Sequence, residues 1–153
     1  MIALGKELQN RGHQVTVINL VDSQEKIIRS SLHFFPVGEK DFPIGSTQQH
    51  LNRLGGLTGI AAFEYMITLF LAWDRVYLNE LADRLRHLGV DFLLIDQTQL
   101  APCSVADFLD LPYVNISNAL ILNYEIGVPP VQTSWRYHPA CWSKLRNLWG
   151  ISA

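Results

Sequence analysis

The sequence contains little cysteine, no excess of basic charge and no long apolar run. Two cysteines, Cys103 and Cys141, are too few for a disulfide framework. The 12 Lys and Arg residues are offset by 14 Asp and Glu residues, so the basic surface that binds duplex nucleic acid is not expected. The most apolar stretch, residues 60–73, contains Glu64 and is too short to cross a bilayer. These shortages exclude a disulfide scaffold, a nucleic-acid clamp and a membrane span.

The sequence does contain enough apolar material for a folded core. Apolar residues make up 48% of the chain and charged residues 17%, which excludes a disordered tail. Charge is distributed unevenly: residues 91–134 hold five acids and no base, and residues 135–153 hold three bases and no acid. Because the start of the chain does not look like a signal peptide, we expect a cytoplasmic location.

Helical and strand patterns alternate from residue 1 to residue 116. The first helix is expected to end at Gly12, since glycine readily adopts the left-handed conformation of a helix cap. No strand pattern precedes that helix, so we expect the leading strand of the sheet to be missing. This order predicts an α/β fold with a doubly wound parallel sheet and helices on both faces. The pattern predicts a helix over 2–11, one long helix or two abutting ones over 60–88, and a helix from Pro102. It predicts strands over 15–20, 32–37, 91–96 and 113–116, and a loop over 39–59.

Asp96 is the first polar residue after the buried strand 91–96. Ligands of open parallel sheets bind beyond the carboxyl ends of the strands, where a carboxylate can orient a histidine that acts as a general base. The structural alternative is that Asp96 accepts hydrogen bonds from the following turn. Both interpretations stay open at this point.

The apolar stretch 60–73 permits two interpretations as well. Glu64 could reach a hydroxyl group of a ligand in an apolar pocket, but a carboxylate that reaches solvent is the more common case. Phe63, Tyr65, Phe70 and Trp73 are more often core residues than a binding surface. The histidines and cysteines show no metal-ligand spacing, and Gly55 to Gly59 is not a phosphate-binding loop.

The last segment is aromatic and basic. Trp142, Leu145 and Trp149 would share one helix face, and Arg136 and Lys144 add positive charge. Such a segment can lie on a membrane surface. Packing against the domain, or against a domain absent from this chain, is the alternative that the pattern favours.

Several short motifs follow one another along the chain: Gly12-His13 between helix and strand, Phe35-Pro36-Val37-Gly38, Asp96, the run from Val105 to Val114, and Val128-Pro129-Pro130. In this order they resemble the N-terminal half of a nucleotide-sugar-dependent glycosyltransferase of the GT-B fold. The resemblance spans nearly the whole chain. The sequence is most similar to the bacterial macrolide and zeaxanthin glucosyltransferases, especially from Asn118 to Trp149.

The resemblance implies a reaction as well as a fold. In this family a histidine before the first helix deprotonates the acceptor hydroxyl, and an aspartate that matches Asp96 is its partner. The histidine has no counterpart here, and the donor-binding C-terminal domain is absent, so we expect a fragment truncated at both ends and inactive alone. The full-length enzyme would transfer a hexose, with glucose as the expected sugar, from a UDP-sugar. The reaction would invert the anomeric carbon and would need no metal.

The resemblance also implies an acceptor pocket, formed by loops after the strands and by the long apolar helix. The apolar content of residues 60–73 suits a lipophilic alcohol such as a carotenoid or polyketide. By position rather than by motif, the candidate acceptor-binding residues are Phe63, Glu64, Ile67, Phe70, Gln97, Asn118 and Glu125.

We therefore expect two parts in the chain. Residues 1–134 would form a partial Rossmann-like acceptor-binding domain, and residues 135–153 a Trp-rich helical segment that packs on it or touches a membrane. The alternative function is a non-catalytic module that binds a small molecule or lipid. An unrelated nucleotide-binding protein is disfavoured by the lack of a glycine-rich phosphate loop.

Overall fold

The computed structural model describes residues 1–117, 125–129, 135–138 and 140–152, with side chains up to residue 150. The chain divides into two compact units, residues 1–118 and residues 119–153. The first unit contains the helices α1 to α5 and the strands β1 to β4, and the second contains the helix α6, Cys141–Ser152. Among the described residues, no helix is long and apolar enough to cross a bilayer.

The first parallel pair of strands follows α1, Ile2–Asn10. Gly12, with φ of +89°, lets the chain leave the helix, as the sequence predicts. β1, Thr16–Leu20, is connected through a short turn and α2, Gln24–Ile28, to β2, His33–Val37. The two strands run parallel, with Thr16 opposite His33 and Leu20 opposite Val37.

The second parallel pair repeats this arrangement. β3, Leu93–Asp96, is followed by α5, Ala101–Phe108, and by β4, Tyr113–Ile116. Leu93 lies opposite Tyr113 and Asp96 opposite Ile116. The α/β class and the parallel direction of the strands are therefore confirmed.

The strands form two separate two-stranded sheets, β1-β2 and β3-β4. The sequence predicts one continuous doubly wound sheet, and in the described part of the chain no ladder joins the two pairs. The physical reason is that β1 pairs with β2 and β3 with β4, and none of the strands described here bridges β1 and β3.

The segment predicted as a loop over residues 39–59 contains a helix, α3, Ser46–Gly55. Its start is held by Asp22, which lies 23 residues earlier in the chain: Asp22 Oδ1 accepts the backbone N–H of Gly45 at 2.5 Å, and Oδ2 accepts that of Thr47 at 2.8 Å. The first N–H groups of this helix are therefore satisfied by a distant carboxylate and not by a side chain of its N-cap residue, Gly45. The prediction of a loop, which rested on the glycines and Pro43 of this segment, is wrong.

The longest helix, α4, runs from Gly59 to Leu88 as predicted and ends at Gly89, whose φ is +60°. Its C-terminal half supplies much of the core, since Leu81 and Leu85 are 3% and 1% exposed. The same core includes Val37 of β2 and Val105 of α5. Both strand pairs are therefore anchored to one apolar cluster built around α4.

Candidate functional site

A cavity of about 440 Å³ lies between α4, α3 and the loop that follows β2. Part of its lining is apolar, from Phe42, Leu69, Ala72 and Val76. The remaining lining is polar and charged: Asp41, His50, Tyr65, Thr68, Arg75 and Asn79. An apolar wall with a few convergent polar groups is typical of a small-molecule site.

His50 and Tyr65 form the most defined polar feature of this cavity. The Nδ1 atom of His50 lies 2.6 Å from the hydroxyl oxygen of Tyr65, within hydrogen-bond distance. The Arg53 guanidinium lies 4.6 Å from the centroid of the Tyr65 ring, and the Phe42 ring lies 5.8 Å from that of His50. When Tyr65 donates to His50, its oxygen can still accept a hydrogen bond from a ligand hydroxyl.

The helical period of α4 explains how its side chains reach the cavity. Tyr65, Thr68, Leu69, Ala72, Val76 and Asn79 recur at intervals of three and four residues, which places them on one face of the helix. His50 comes from α3, so the cavity exists only because that helix forms. The carboxylate of Asp22 therefore acts on this site through the start of α3.

The charge on Asp22 is stabilised by that contact. The hydrogen bonds from the backbone of Gly45 and from Thr47 lower the pKa of Asp22 below its ordinary value, because they favour the ionised form. The carboxylate also lies at the N-terminus of α3, where a negative charge is favourable.

Asp96 lies at the carboxyl end of β3, as predicted, and is half-buried. Its Oδ1 accepts the backbone N–H of Thr98 at 3.0 Å and the Thr98 hydroxyl at 2.7 Å. This is the turn geometry of the structural alternative, although Asp96 also has a further interaction. Next to it, the Gln97 backbone N–H donates to the Ile116 carbonyl. The catalytic role of Asp96 stays a prediction.

The start of α5 carries no reactive thiol. The Ala101 N–H donates to the Asp74 carboxylate of α4 at 3.3 Å, so that helix terminus already has an acidic partner. Burial raises the pKa of Cys103, whose Sγ lies 3.4 Å from Asn115 Oδ1. Cys103 is therefore a thiol at neutral pH rather than a nucleophilic thiolate. On α4, burial and the charge of Asp74 raise the pKa of Tyr77 to about 12.

The cavity lining includes none of the residues suggested for an acceptor pocket that belong to the described part of the chain. Phe63, Ile67 and Phe70 lie on another face of α4 and are 40%, 40% and 37% exposed. Glu64 is exposed as well, in agreement with its structural interpretation. These four residues share the N-terminal half of α4, and their contact with an acceptor stays a prediction.

The other three suggested residues are distributed along the chain. Gln97 is at the end of β3, and Glu125 is an exposed residue of the second unit. Asn118 lies outside the described residues. In the parts of the chain that are described, no group of three His, Cys, Asp or Glu side chains could hold a metal ion.

Sequence reasoning missed Phe42, His50 and Tyr65. His50 lies in a segment expected to be a loop, and no motif surrounds it. The available signal was the interleaving of Tyr65, Thr68 and Asn79 with apolar residues at helical spacing. That pattern indicates a mixed helix face, but it does not show what the face contacts.

Comparison with known proteins identifies relatives with a named activity. The chain is 29% identical over 134 residues to a zeaxanthin glucosyltransferase of Pantoea ananas, a match that covers 88% of this chain and 31% of that protein. It is 30% identical over 130 residues to a zeaxanthin glucosyltransferase of Pseudescherichia vulneris, which covers 83% of this chain and 29% of that protein. No protein-family profile matches the sequence.

These matches confirm the resemblance that the short motifs indicate. The similarity extends along most of this chain, so it does not depend on one motif. The chain spans about three tenths of the length of the curated relatives it matches. It is therefore similar to a part of these glucosyltransferases.

Proposed function

We propose that this chain is part of the acceptor-binding half of a GT-B glycosyltransferase. The full-length enzyme transfers a hexose, glucose above all, from a UDP-sugar to a hydroxyl group of a small hydrophobic acceptor such as a carotenoid or polyketide. The observation that carries the proposal is the cavity at His50 and Tyr65 in a chain similar to zeaxanthin glucosyltransferases. The cavity combines an apolar wall with groups that can bind a hydroxyl.

The size of the cavity suits one end of such an acceptor. About 440 Å³ lies within the usual range of small-molecule sites, roughly 300–1,000 Å³. A hydroxylated ring fits, while a long polyene extends out of the opening. Phe42, Leu69 and Val76 would contact the ring, and the Tyr65 oxygen would accept the hydrogen bond of its hydroxyl.

The fold supports the same proposal. The pairs β1-β2 and β3-β4 are both parallel and share the core around α4. They are compatible with two parts of one Rossmann-like sheet in which a further strand lies between β1 and β3. The ends of β1 and β3 would then lie along one sheet edge, where ligands of parallel sheets bind.

The proposed reaction is an inverting displacement. The acceptor oxygen forms a bond to the anomeric carbon, the bond from that carbon to the diphosphate oxygen breaks, and a base takes the hydroxyl proton. We assign to Asp96 the orientation of a histidine base that another part of the full-length enzyme supplies. No metal ion is needed for these steps, because the base and the donor-binding domain supply the charges.

A module that binds a small molecule or lipid without catalysis is the second candidate. The observation that favours it is the cavity itself, since the lining residues among the described part of the chain all fall within 41–79. Binding alone would therefore agree with both functions, and only a transfer assay separates them.

Binding is tested with the 153-residue chain and zeaxanthin dispersed in detergent. Trp73 lies 6.4 Å from Phe42, ring centroid to ring centroid, so a polyene in the cavity is expected to quench its fluorescence. The Ala72→Leu variant fills part of the cavity and should weaken binding at least about tenfold, in keeping with the tight packing of protein interiors. Quenching that Ala72→Leu leaves unchanged would contradict the assignment of the cavity.

The matched control for this test is Ala61→Leu. Ala61 is exposed on the same helix and does not line the cavity, so the same substitution should leave the dissociation constant unchanged. Tyr65→Phe removes only the hydroxyl group. This variant should weaken the binding of zeaxanthin more than the binding of the parent hydrocarbon, which has no hydroxyl groups. The reason is that only zeaxanthin loses a hydrogen bond.

Catalysis is tested in a full-length enzyme that contains this segment. Asp96→Asn should lower kcat at least about a hundredfold, the usual scale of general acid–base catalysis, while acceptor binding is retained. Asp91→Asn, two residues before the same strand, should have normal kcat because Asp91 is exposed. Normal turnover of Asp96→Asn would refute the role of Asp96, and binding without any transfer would support the non-catalytic module.

A further inference from the structure

The helix α6 has its polar side buried and its apolar side exposed. Asn147 is 1% exposed, whereas Trp142 is 81% and Trp149 is 70% exposed. Leu145, at 57%, lies on the same face as the two tryptophans at helical spacing. A helix that only packs on its own unit would show the opposite arrangement.

Specific contacts hold α6 in this orientation. The Asn147 side-chain amide donates to the Ile126 carbonyl at 3.2 Å, and Arg146 Nη2 donates to the Arg136 carbonyl at 3.2 Å. The Arg146 guanidinium also lies 4.7 Å from the centroid of the Trp135 ring. Because these contacts use the polar side of the helix, the apolar side is directed outward.

The helix α6 and the residues just before it carry side-chain charges of one sign only. Residues 135–153 contain Arg136, Lys144 and Arg146 and no acidic residue. Lys144 is exposed on the helix itself, beside the apolar face. A cationic border around exposed tryptophan and leucine is complementary to an anionic lipid surface, where indole rings lie at the level of the headgroups.

We propose that α6 is an interfacial helix that binds the surface of anionic membranes. The helix lies parallel to the membrane, with Trp142, Leu145 and Trp149 inserted among the headgroups and upper acyl chains. Lys144 and Arg136 contact lipid phosphates. With 12 residues, α6 is too short to cross the bilayer, so the binding is peripheral and reversible. This inference is independent of the reaction that the full-length protein catalyses.

The experiment uses the 153-residue chain and vesicles of two compositions, phosphatidylcholine alone and phosphatidylcholine mixed with phosphatidylglycerol. We expect the chain to co-sediment with the mixed vesicles and its tryptophan emission to shift to shorter wavelength. The double variant Trp142→Ala/Trp149→Ala should reduce the partition coefficient at least about tenfold. Lys144→Gln should reduce it roughly fivefold for the anionic vesicles and much less for the neutral ones.

The matched control removes two exposed apolar side chains elsewhere. Ile44 and Ile60 are 81% and 77% exposed in the first unit, so Ile44→Ala/Ile60→Ala should leave vesicle binding unchanged. Unchanged circular dichroism of both double variants verifies that each is folded.

Two results would overturn the proposal. One is vesicle binding that the tryptophan double variant does not weaken, because the membrane contact would then lie elsewhere. The other is an absence of vesicle binding together with a dimer that Trp142→Ala/Trp149→Ala converts to a monomer. In that case the apolar face of α6 is an interface between two copies of the chain.

Discussion

The two halves of α4 differ in burial, and the difference is the opposite of what their composition predicts. Residues 59–73 contain a single charged residue, Glu64, whereas residues 74–88 contain six. Nevertheless the apolar side chains of the first half are largely in water: Ile60 is 77% and Leu71 is 63% exposed, compared with 1% for Leu85. The more apolar half of the helix is therefore the less buried one.

The difference follows from what packs on each half. The C-terminal half meets β2 and α5 and contributes Val76, Leu81 and Leu85 to the core. The N-terminal half contributes Leu69 to the core and has α3 beside it. The burial of an apolar side chain in α4 thus depends on which elements pack against the helix. Its hydrophobicity shows only where such packing would stabilise the helix.

The largest effect is expected for truncation of Leu85. Leu85→Ala leaves a cavity in the core around α4 and should lower the free energy of unfolding by about 2–5 kcal/mol. The same truncation in the other half, Leu71→Ala, should change it by less than about 0.5 kcal/mol, because Leu71 is largely exposed. Urea titration followed by circular dichroism measures both values. Equal losses at the two positions would mean that the halves are equally buried in solution.

A smaller effect is expected for Gly38, where the loop after β2 approaches the C-terminal half of α4. A Cβ atom at Gly38 would lie 2.7 Å from Val76 Cγ1, and φ is +69°, a conformation that side chains disfavour. Gly38→Ala should therefore cost about 1–3 kcal/mol of unfolding free energy, by the scale of overpacked cores.

The control for Gly38 is Gly56, which has φ of −86° and where an added Cβ atom would lie 3.6 Å from the Arg53 carbonyl oxygen. Gly56→Ala should be neutral or slightly stabilising, since alanine restricts the unfolded chain. In addition, Val76→Ala should recover part of the loss caused by Gly38→Ala. Failure of that rescue would place the strain in the backbone rather than in the contact with Val76.

The smallest effect concerns Asp22, which holds the start of α3 beside the N-terminal half of α4. Asp22→Asn should cost about 1 kcal/mol near neutral pH, the usual scale of a helix cap. The folded protein lowers the pKa of Asp22 below its ordinary value of 3.8, so this stabilisation is present above that value. It is lost as the pH falls through the lower pKa of the folded state.

The measurement for Asp22 is urea titration of both proteins over a range of acidic pH. The difference between them should shrink as the pH decreases, because protonation removes the charge that the substitution removes. Asp91→Asn, at an exposed position, is the control and should show little difference at any pH. A difference that does not depend on pH would mean that hydrogen-bond geometry, not charge, stabilises α3.

Elements whose cause is local could be predicted from the sequence. Helix α4 ends at Leu88 before Gly89 and α1 at Asn10 shortly before Gly12, and both ends follow from glycine at the point where a left-handed residue is needed. The position of strand β3 follows from its continuous apolar run, although Ile95 alone of its residues is fully buried. α3 could not be predicted in this way, because its start depends on Asp22 from another part of the fold.

In the candidate site, too, the features with a local cause could be predicted and those that depend on distant residues could not. The position of Asp96 at the end of β3 follows from the strand pattern, but its bonds to Thr98 do not. The cavity needs α3 to bring His50 to Tyr65, and a sequence in which residues 39–59 are predicted as a loop cannot suggest it. Likewise, the separation of the β1-β2 pair from the β3-β4 pair depends on which strands form hydrogen bonds with each other. The sequence pattern of a single strand does not show this.

The outward-facing apolar side of α6 also affects the thermodynamics of the second unit. The heat capacity change of unfolding and the dependence on denaturant both grow with the apolar area that unfolding exposes to water. Trp142 and Trp149 are already in water in the folded chain, so melting of α6 exposes little new apolar area. Calorimetry and urea titration of this protein therefore report mainly on the core around α4, and α6 can unfold almost without a signal in either.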